Sequence, residues 1–480
     1  MTSTRKLSAE THEHVHGQNR WAVIPTPDKL NASPELAGQG VTVAFLDSGF
    51  YPHPDFQGRV RAFHDIAGEE NFGSISEPRP HHWHGTQTVV SCAGDGSLSD
   101  GVYKGVASEA GLVLVKVSRE GRISDREIEE GLEWVLANRE RLDIRILNIS
   151  LGGDADEASD QSRINKLAEA LHDSGVVITV AAGNDDSSRP VPPASSPSVI
   201  TVGGYTDGNS LDEADFGLYH SAFGETADGL VKPELIAPAM YVAAPILPGT
   251  EDYLTAEALS ALASAPDYLF AKLLPELGSS AGLGPAAGPD AARAEVERLL
   301  RGRKIVANHY QHVDGTSFAA PIAASIAAQM LEANPSLTPS VVKNILVSTA
   351  GRLAGHPAVR QGYGILNARA AADAARAETH FLTAEDHAPP RIERDRIVFS
   401  FHDDSADDVT LVGDFNGWDR ASTPFTRTHE GLWRASIPCR PAGRYLYKFL
   451  VDGERWTEDR SHGLKEADGF GGFNSVLEIL

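Results

Sequence analysis

Cysteine is almost absent from this chain. Its 480 residues include only Cys92 and Cys439, so no disulfide framework holds it together. Long apolar runs are missing too: no window offers about 18 consecutive apolar residues. The N-terminal stretch MTSTRKLSAETHEHVHGQNRW has no apolar core of the signal-peptide kind. These absences lead to the expectation of a cytoplasmic protein without a membrane span. Positive charge is also scarce, since 42 Lys and Arg against 66 Asp and Glu leave a formal net charge of −24. Such a surface repels phosphate backbones and anionic lipid, which argues against a general binder of nucleic acid or membrane, and it attracts basic peptides.

What is present suits a globular chain, with 41% hydrophobic and 22% charged residues and length enough for two domains. From Val41 to about Asn367, buried-strand runs (VTVAFLDSG, GLVLVKVS, IRILNISLGG, VVITVAAGN) alternate with amphipathic stretches. SDREIEEGLEWVLANRERL and QSRINKLAEALHDSG have helical spacing, the second closed by a glycine stop. This predicts an α/β domain over 36–375, a mostly parallel sheet flanked by helices, preceded by an N-terminal extension over 1–35. Polar groups follow the carboxyl ends of the strands, where ligands bind in such sheets.

An insert over 248–312 has a different composition. Leu269, Leu273 and Leu277 recur every four residues, as do Val296 and Leu300, which predicts two helices joined by the loose GSSAGLGPAAGPDAA. It reads either as a rim, lid or docking element beside the site or as a plain packing insertion. A charged, proline-bearing linker over 376–392 follows, and then short strands: RIVFSFH, VTLVGDF, LWRASIP, RYLYKFLVDG and NSVLEI. Alternation in YLYKFLV puts Tyr445, Tyr447, Phe449 and Val451 on one face and Lys448 on the other, where exposure is expected. Residues 393–480 therefore read as an all-β antiparallel sandwich.

The chemistry centres on Ser317 in HVDGTSFAAPIAASIAAQM, at the mouth of a small-residue helix. Thr316 or Ser317 in that place can be a simple N-cap. A serine there also sits among free backbone N–H groups able to steady a negative charge. A nucleophilic serine needs a base, and the base needs an orienting acid. Asp47 closes the first strand in AFLDSGF, His84 opens a helix in HHWHGTQTVVSCAG, and Asn184 ends a strand in AAGN with an amide able to donate to an oxyanion. Singly each has a bland reading. The four together favour catalysis.

With these motifs the chain resembles the subtilisin-like serine peptidases, the subtilases. DSG, HGT, AAGN and GTSFAAP carry the resemblance, and HPDFQGRV, ISLGG at 149–153 and GYGILNA at 362–368 extend it over most of 36–372. It implies a subtilisin-like fold and a triad of Asp47, His84 and Ser317, with Asn184 in the oxyanion hole and hydrolysis of peptide bonds through an acyl-enzyme. It further implies that substrate backbone adds as a strand beside Ser150, Leu151, Gly152 and Gly153, with a first specificity pocket walled by that segment and by Ala181, Ala182 and Gly183. Asp185 and Asp186 then stand either at the pocket rim, favouring Arg or Lys before the scissile bond, or as solvated loop carboxylates.

Gln87 stands where a second histidine is usual in the family. The short N-terminus is similar to that of intracellular subtilases, whose N-terminal extension can cover the cleft. RWAVIPTP at 20–27 is the segment for that role, or else an arm packed on the sheet. No cofactor is expected to be required. Calcium is common in the family, and DADEASD at 154–160 supplies carboxylates without EF-hand spacing. No metal is expected at HHWH, because His81 and His82 are consecutive and His84 is already assigned.

The C-terminal stretches VTLVGDFNGWDR, YLYKFLVDGERWTEDR and NSVLEI resemble the starch- and glycogen-binding early-set domains. These occur in branching and debranching enzymes and in the β subunit of AMP-activated protein kinase. The resemblance implies α-glucan contacts by Trp418, Lys448, Trp456 and Asn474. The partners expected are therefore a protein or peptide substrate together with α-glucan or a protein docking partner. The competing reading is a recognition or scaffold protein whose protease fold stays latent until a partner releases the site.

Overall fold

The structure is a computed structural model, and it describes residues 23–119, 121–153, 156–284, 288–378, 389–393, 395–403, 405–429, 431–462 and 464–479. Seven parallel strands form its central sheet. From one edge they run Leu235–Pro238, Ile200–Thr206, Val177–Ala181, Ile144–Ile149, Thr42–Asp47, Gly111–Lys116 and Val60–Asp65, and a short antiparallel strand, Gly217–Leu218, pairs with Ile200–Thr206. The inner strands read as continuous apolar runs because both faces are covered. Val43 and Phe45 belong to one buried cluster, and Ala44 and Leu46 to the other.

The first face carries the helices His82–Ala93, Thr316–Ala333, Pro339–Thr349 and Ala368–Ala377. The second carries Asp125–Asn138, started by a capping box of Ser124 and Glu127, and Arg163–Asp173, capped by the Ser162 side chain. All four strands and both helices singled out in the sequence form. Both cysteines are free, Cys92 buried and Cys439 exposed. No helix among the described residues is long and apolar enough to cross a membrane.

The insert departs from expectation, having three helices where two were predicted: Glu251–Ser264, Asp267–Leu277 and Pro289–Gly302. The apolar stretch read as one helix breaks at Ala265, whose extended backbone precedes Pro266, because a proline disfavours helical geometry in the residue before it. Leu259, Leu262, Phe270, Val296 and Leu300 form the insert's own small core, and Trp83, immediately before His84, packs against it. Tyr310–Val313, at its end, pairs with Val242–Pro245. Near the N-terminus, Val23 is buried with Tyr103, Val306 and Tyr310. Residues 20–22 of the segment expected to cover the cleft lie outside the described residues.

The C-terminal region is antiparallel throughout. Arg391–Glu393, Arg396–His402, Leu432–Pro438 and Thr426–His429 make one sheet. Val409–Gly413, Gly443–Val451, Phe473–Ile479 and Lys465–Ala467 make the other, with Arg455–Thr457 beside Gly443–Val451. Phe399, Leu411, Tyr447, Phe449 and Val451 fill the space between them. The last helix before this region ends at Ala377, and residues 379–388 of the expected linker lie outside the described residues.

Candidate active site

Asp47 ends the strand Thr42–Asp47 near the middle of the sheet, so its carboxylate emerges at the carboxyl edge while staying buried. Oδ1 accepts from the Ser48 N–H at 2.7 Å and from His84 Nδ1 at 2.8 Å, and Oδ2 accepts from Thr88 Oγ1 at 3.2 Å. His84 lies in the first turn of the helix His82–Ala93, and its side chain is 40% exposed. Because Nδ1 is committed to Asp47, Nε2 is the nitrogen left to exchange protons. The Asp47 charge raises the imidazole above its ordinary value, and burial opposes that rise. The helix start approaches the Asp47 turn so closely that only glycine fits at position 85. A Cβ there would lie 2.3 Å from the Gly49 carbonyl oxygen and 3.1 Å from Asp47 Cβ.

Ser317 is the second residue of the helix Thr316–Ala333, and the Phe318 ring lies 5.9 Å from that of His84. Its Oγ donates to the Ser150 carbonyl at 3.4 Å, and Ser150 Oγ donates back to the Ser317 carbonyl at 2.8 Å. Among the described residues no hydrogen bond joins Ser317 to His84. Nucleophile and base in an unliganded site are often apart and close on binding substrate.

The simple-cap reading of this helix start does not hold. Gly315 occupies the N-cap position, at φ +140°, with no side-chain cap. Thr316 instead faces Asn184, whose Oδ1 accepts both the Thr316 N–H at 2.8 Å and Thr316 Oγ1 at 3.0 Å. Two donors on Oδ1 fix the amide orientation, so Nδ2 is the group free to donate. Among the described residues the Ser317 N–H has no acceptor.

Ser150 is buried, Leu151 is half-buried and Gly152 is exposed, directly after the strand Ile144–Ile149. The Gly153 N–H donates to the Pro192 carbonyl at 2.7 Å. Ala181 ends its strand, the Ala182 N–H donates to the Val202 carbonyl at 3.0 Å, and the Gly183 N–H donates to Thr316 Oγ1 at 3.2 Å. Asp185 and Asp186 are exposed but not idle. Ser187 donates twice to Asp185, which lowers that carboxyl, and Asp186 pairs with Arg360 at 3.1 Å.

One cluster escaped the sequence reading. Glu70 Oε1 lies 2.9 Å from His81 Nε2 and 3.1 Å from His82 Nε2. Among the described residues it is the one group of three metal-capable side chains whose ligand atoms converge. His82 Nδ1 accepts the Arg79 N–H at 2.9 Å, so His82 Nε2 carries the proton and donates to Glu70. A protonated nitrogen is no ligand, and the donor set suits a hydrogen-bonded brace better than a cation. Ser48 Oγ donates to the His81 carbonyl at 2.8 Å, which ties this brace to the Asp47 turn. The acidic loop at 154–160 is only partly described. Asp156 is paired with Arg189 at 2.8 Å, and Asp154 and Ala155 lie outside the described residues.

In the C-terminal region Trp418, Lys448, Trp456 and Asn474 line one open cavity of about 580 Å³. The two indole rings are 6.4 Å apart and tilted by 42°. Trp456 is 42% exposed, and Trp418 Nε1 donates to Asp414 Oδ1 at 2.9 Å. The expected exposure of Lys448 is not found. Its side chain is 11% exposed because Asp468, from the loop that follows Lys465–Ala467, reaches back to pair with it at 2.5 Å.

The parallel sheet and the groups gathered at its carboxyl edge define a subtilisin-like serine peptidase as the class of protein. Residues 38–365 match the Subtilase family, and the chain belongs to it. Residues 386–464 match Carbohydrate-binding module 48 (Isoamylase N-terminal domain). The chain is 32% identical over 343 residues to the Serine protease AprX of Bacillus subtilis (strain 168), covering 69% of this chain and 66% of that protein. It is also 32% identical over 204 residues to the Subtilisin-like protease 6 of Trichophyton soudanense, covering 40% of this chain and 44% of that protein. In both comparisons it therefore spans less than two thirds of the relative's length.

Proposed function

We propose that this chain is a serine endopeptidase in which His84 deprotonates Ser317, Asp47 holds the reactive imidazole tautomer, and Asn184 Nδ2 with the Ser317 N–H receives the oxyanion. The observation that carries this reading is the Asn184 amide, whose Oδ1 is held by two bonds from Thr316, the neighbour of Ser317, so that Nδ2 is left to donate. Rotation about the Ser317 side-chain bond takes Oγ from the Ser150 carbonyl toward His84 Nε2. As Oγ attacks the scissile carbonyl its proton passes to Nε2, which then gives it to the leaving amine. Water resolves the acyl-enzyme by the same route in reverse. Extended substrate lies along Ser150, Leu151, Gly152 and Gly153, with its first side chain between them and Ala181, Ala182 and Gly183. Arg360 already neutralises Asp186, so a preference for Arg or Lys rests on Asp185.

The C-terminal sandwich, in the same proposal, binds α-glucan and holds the peptidase there. Indole faces suit the C–H faces of glucose, while the Lys448 ammonium and the Asn474 amide suit its hydroxyls. Cleavage of an unbiased peptide library by the full chain, with Ser317→Ala in parallel, tests the first part. Loss of all cutting in the variant supports it, whereas equal cutting by both refutes it. Retention on immobilised amylose, with Trp456→Ala as comparison, tests the second.

A further inference from the structure

The glucan cavity is not built by the sandwich alone. Arg352 lines it as well, and that residue belongs to the subtilase-matching part of the chain. It follows Gly351, which exchanges backbone hydrogen bonds with Ile365 at 3.1 and 2.8 Å, so its base is fixed. Arg352 Nε donates to the Gly362 carbonyl at 2.8 Å, and Nη2 donates to Glu458 Oε1 at 2.6 Å across to the sandwich. Burial alone would raise the Glu458 carboxyl, but the facing guanidinium outweighs it and holds the group below its ordinary value. The guanidinium carbon also sits 5.7 Å from the Tyr363 ring and 5.3 Å from the Phe473 ring. One amino group remains. Nη1 has no hydrogen-bond partner among the described residues and points at Gly472, where a Cβ would come within 3.3 Å of it. Such a Cβ would also lie 2.9 Å from Asp468 Oδ2, so Gly472 leaves room there, in the cavity that both tryptophans line.

We propose that the glucan groove is a two-domain site, in which Arg352 of the peptidase domain donates from Nη1 to glucan hydroxyls, so that glucan binding fastens the sandwich onto the peptidase domain. This rests on the glucan reading above. An α-glucan is the occupant the chemistry selects. Two tilted indoles offer successive apolar platforms, and the lining polar groups include the neutral amide of Asn474 and a Lys448 whose charge Asp468 offsets. The remaining amino group, Nη1, carries N–H donors from which a glucose hydroxyl oxygen can accept. A ligand that contacts both sides of an interface strengthens that interface by the same factor by which the interface strengthens its binding.

The test uses the full chain and maltoheptaose. Affinity is measured by calorimetry for the wild type, Trp456→Ala, Arg352→Gln and Arg352→Lys, and amide hydrogen exchange is followed in the wild type with and without the sugar. The expected result is that Arg352→Gln weakens binding roughly tenfold, as loss of a charge-assisted hydrogen bond does. Arg352→Lys should recover part of that loss, and the sugar should slow exchange over residues 352–363 of the wild type. Wild-type affinity in a folded Arg352→Gln overturns the proposal. So does unchanged exchange over 352–363, which decides the matter should the variant fail to fold. A wild type that does not bind maltoheptaose removes the glucan reading and this proposal together, an outcome distinct from wild-type binding that ignores Arg352.

Discussion

The candidate active site and the open cavity of the C-terminal sandwich differ in how closely the backbone is approached at one glycine in each. At the active site a Cβ on Gly85 would meet the Gly49 carbonyl oxygen, part of the backbone, at 2.3 Å. In the cavity a Cβ on Gly471 would meet nothing within 4 Å, while one on its neighbour Gly472 would meet the side chains of Asp468 and Arg352 at 2.9 and 3.3 Å. The first region has a strand end and a helix start pressed together, which fixes His84 Nδ1 2.8 Å from Asp47 Oδ1. The second has an open loop, with Phe470 94% exposed.

Asn184→Ala should lower turnover on the order of 10²–10³, a magnitude known from a subtilisin, while leaving peptide affinity close to normal. Steady-state kinetics separate the two. Gly85→Ala should cost about 10² in kcat/KM, because it displaces His84 from Asp47 by a sizeable fraction of an ångström. Gly471→Ala, at φ +89°, strains the backbone and should change maltoheptaose affinity only a few-fold, which calorimetry reads directly. Equal tolerance at both glycines would erase the distinction between the regions.

Two pH effects are smaller. His84 must be neutral to accept the serine proton, and Asp47 raises its pKa. Activity is therefore lost as pH falls through a value above the ordinary imidazole value of about 6.5, which the acid limb of kcat/KM reports. Lys465 is buried at the junction of the two domains, 4.1 Å from the Tyr363 ring, with Glu458, Glu234, Lys343 and Arg352 around it. Burial lowers its ammonium to about 7. Because that lies below its ordinary value, the folded junction favours the neutral amine. Stability should rise as pH climbs from about 7 toward 10 and fall on the way back. Melting curves of the wild type against Lys465→Met should show this slope only in the wild type.

Much of this was legible in the sequence because it is local. DSG, HGT, AAGN and GTSFAAP each mark a turn or helix start, and apolar runs such as VTVAFLD mark strands buried on both faces. What escaped depends on distant partners. Thr316 passes for a cap until the fold brings Asn184 opposite it. Lys448 alternates outward as its strand requires, yet the loop bearing Asp468 returns 20 positions later to cover it. Arg352 looks like any surface arginine, since nothing near it in sequence announces that Glu458 and Gly472 will stand across from it. The extra break in the insert was readable at Pro266, but the leucine repeat that follows it masked it.

The most direct test of the central claim is to treat the full chain with a fluorophosphonate probe and locate the adduct by mass spectrometry, with Ser317→Ala and His84→Ala in parallel. The account predicts a single adduct on Ser317 in the wild type, none in Ser317→Ala, and labelling in His84→Ala slowed by orders of magnitude. Labelling of the wild type no faster than His84→Ala, or an adduct on another serine, would contradict it.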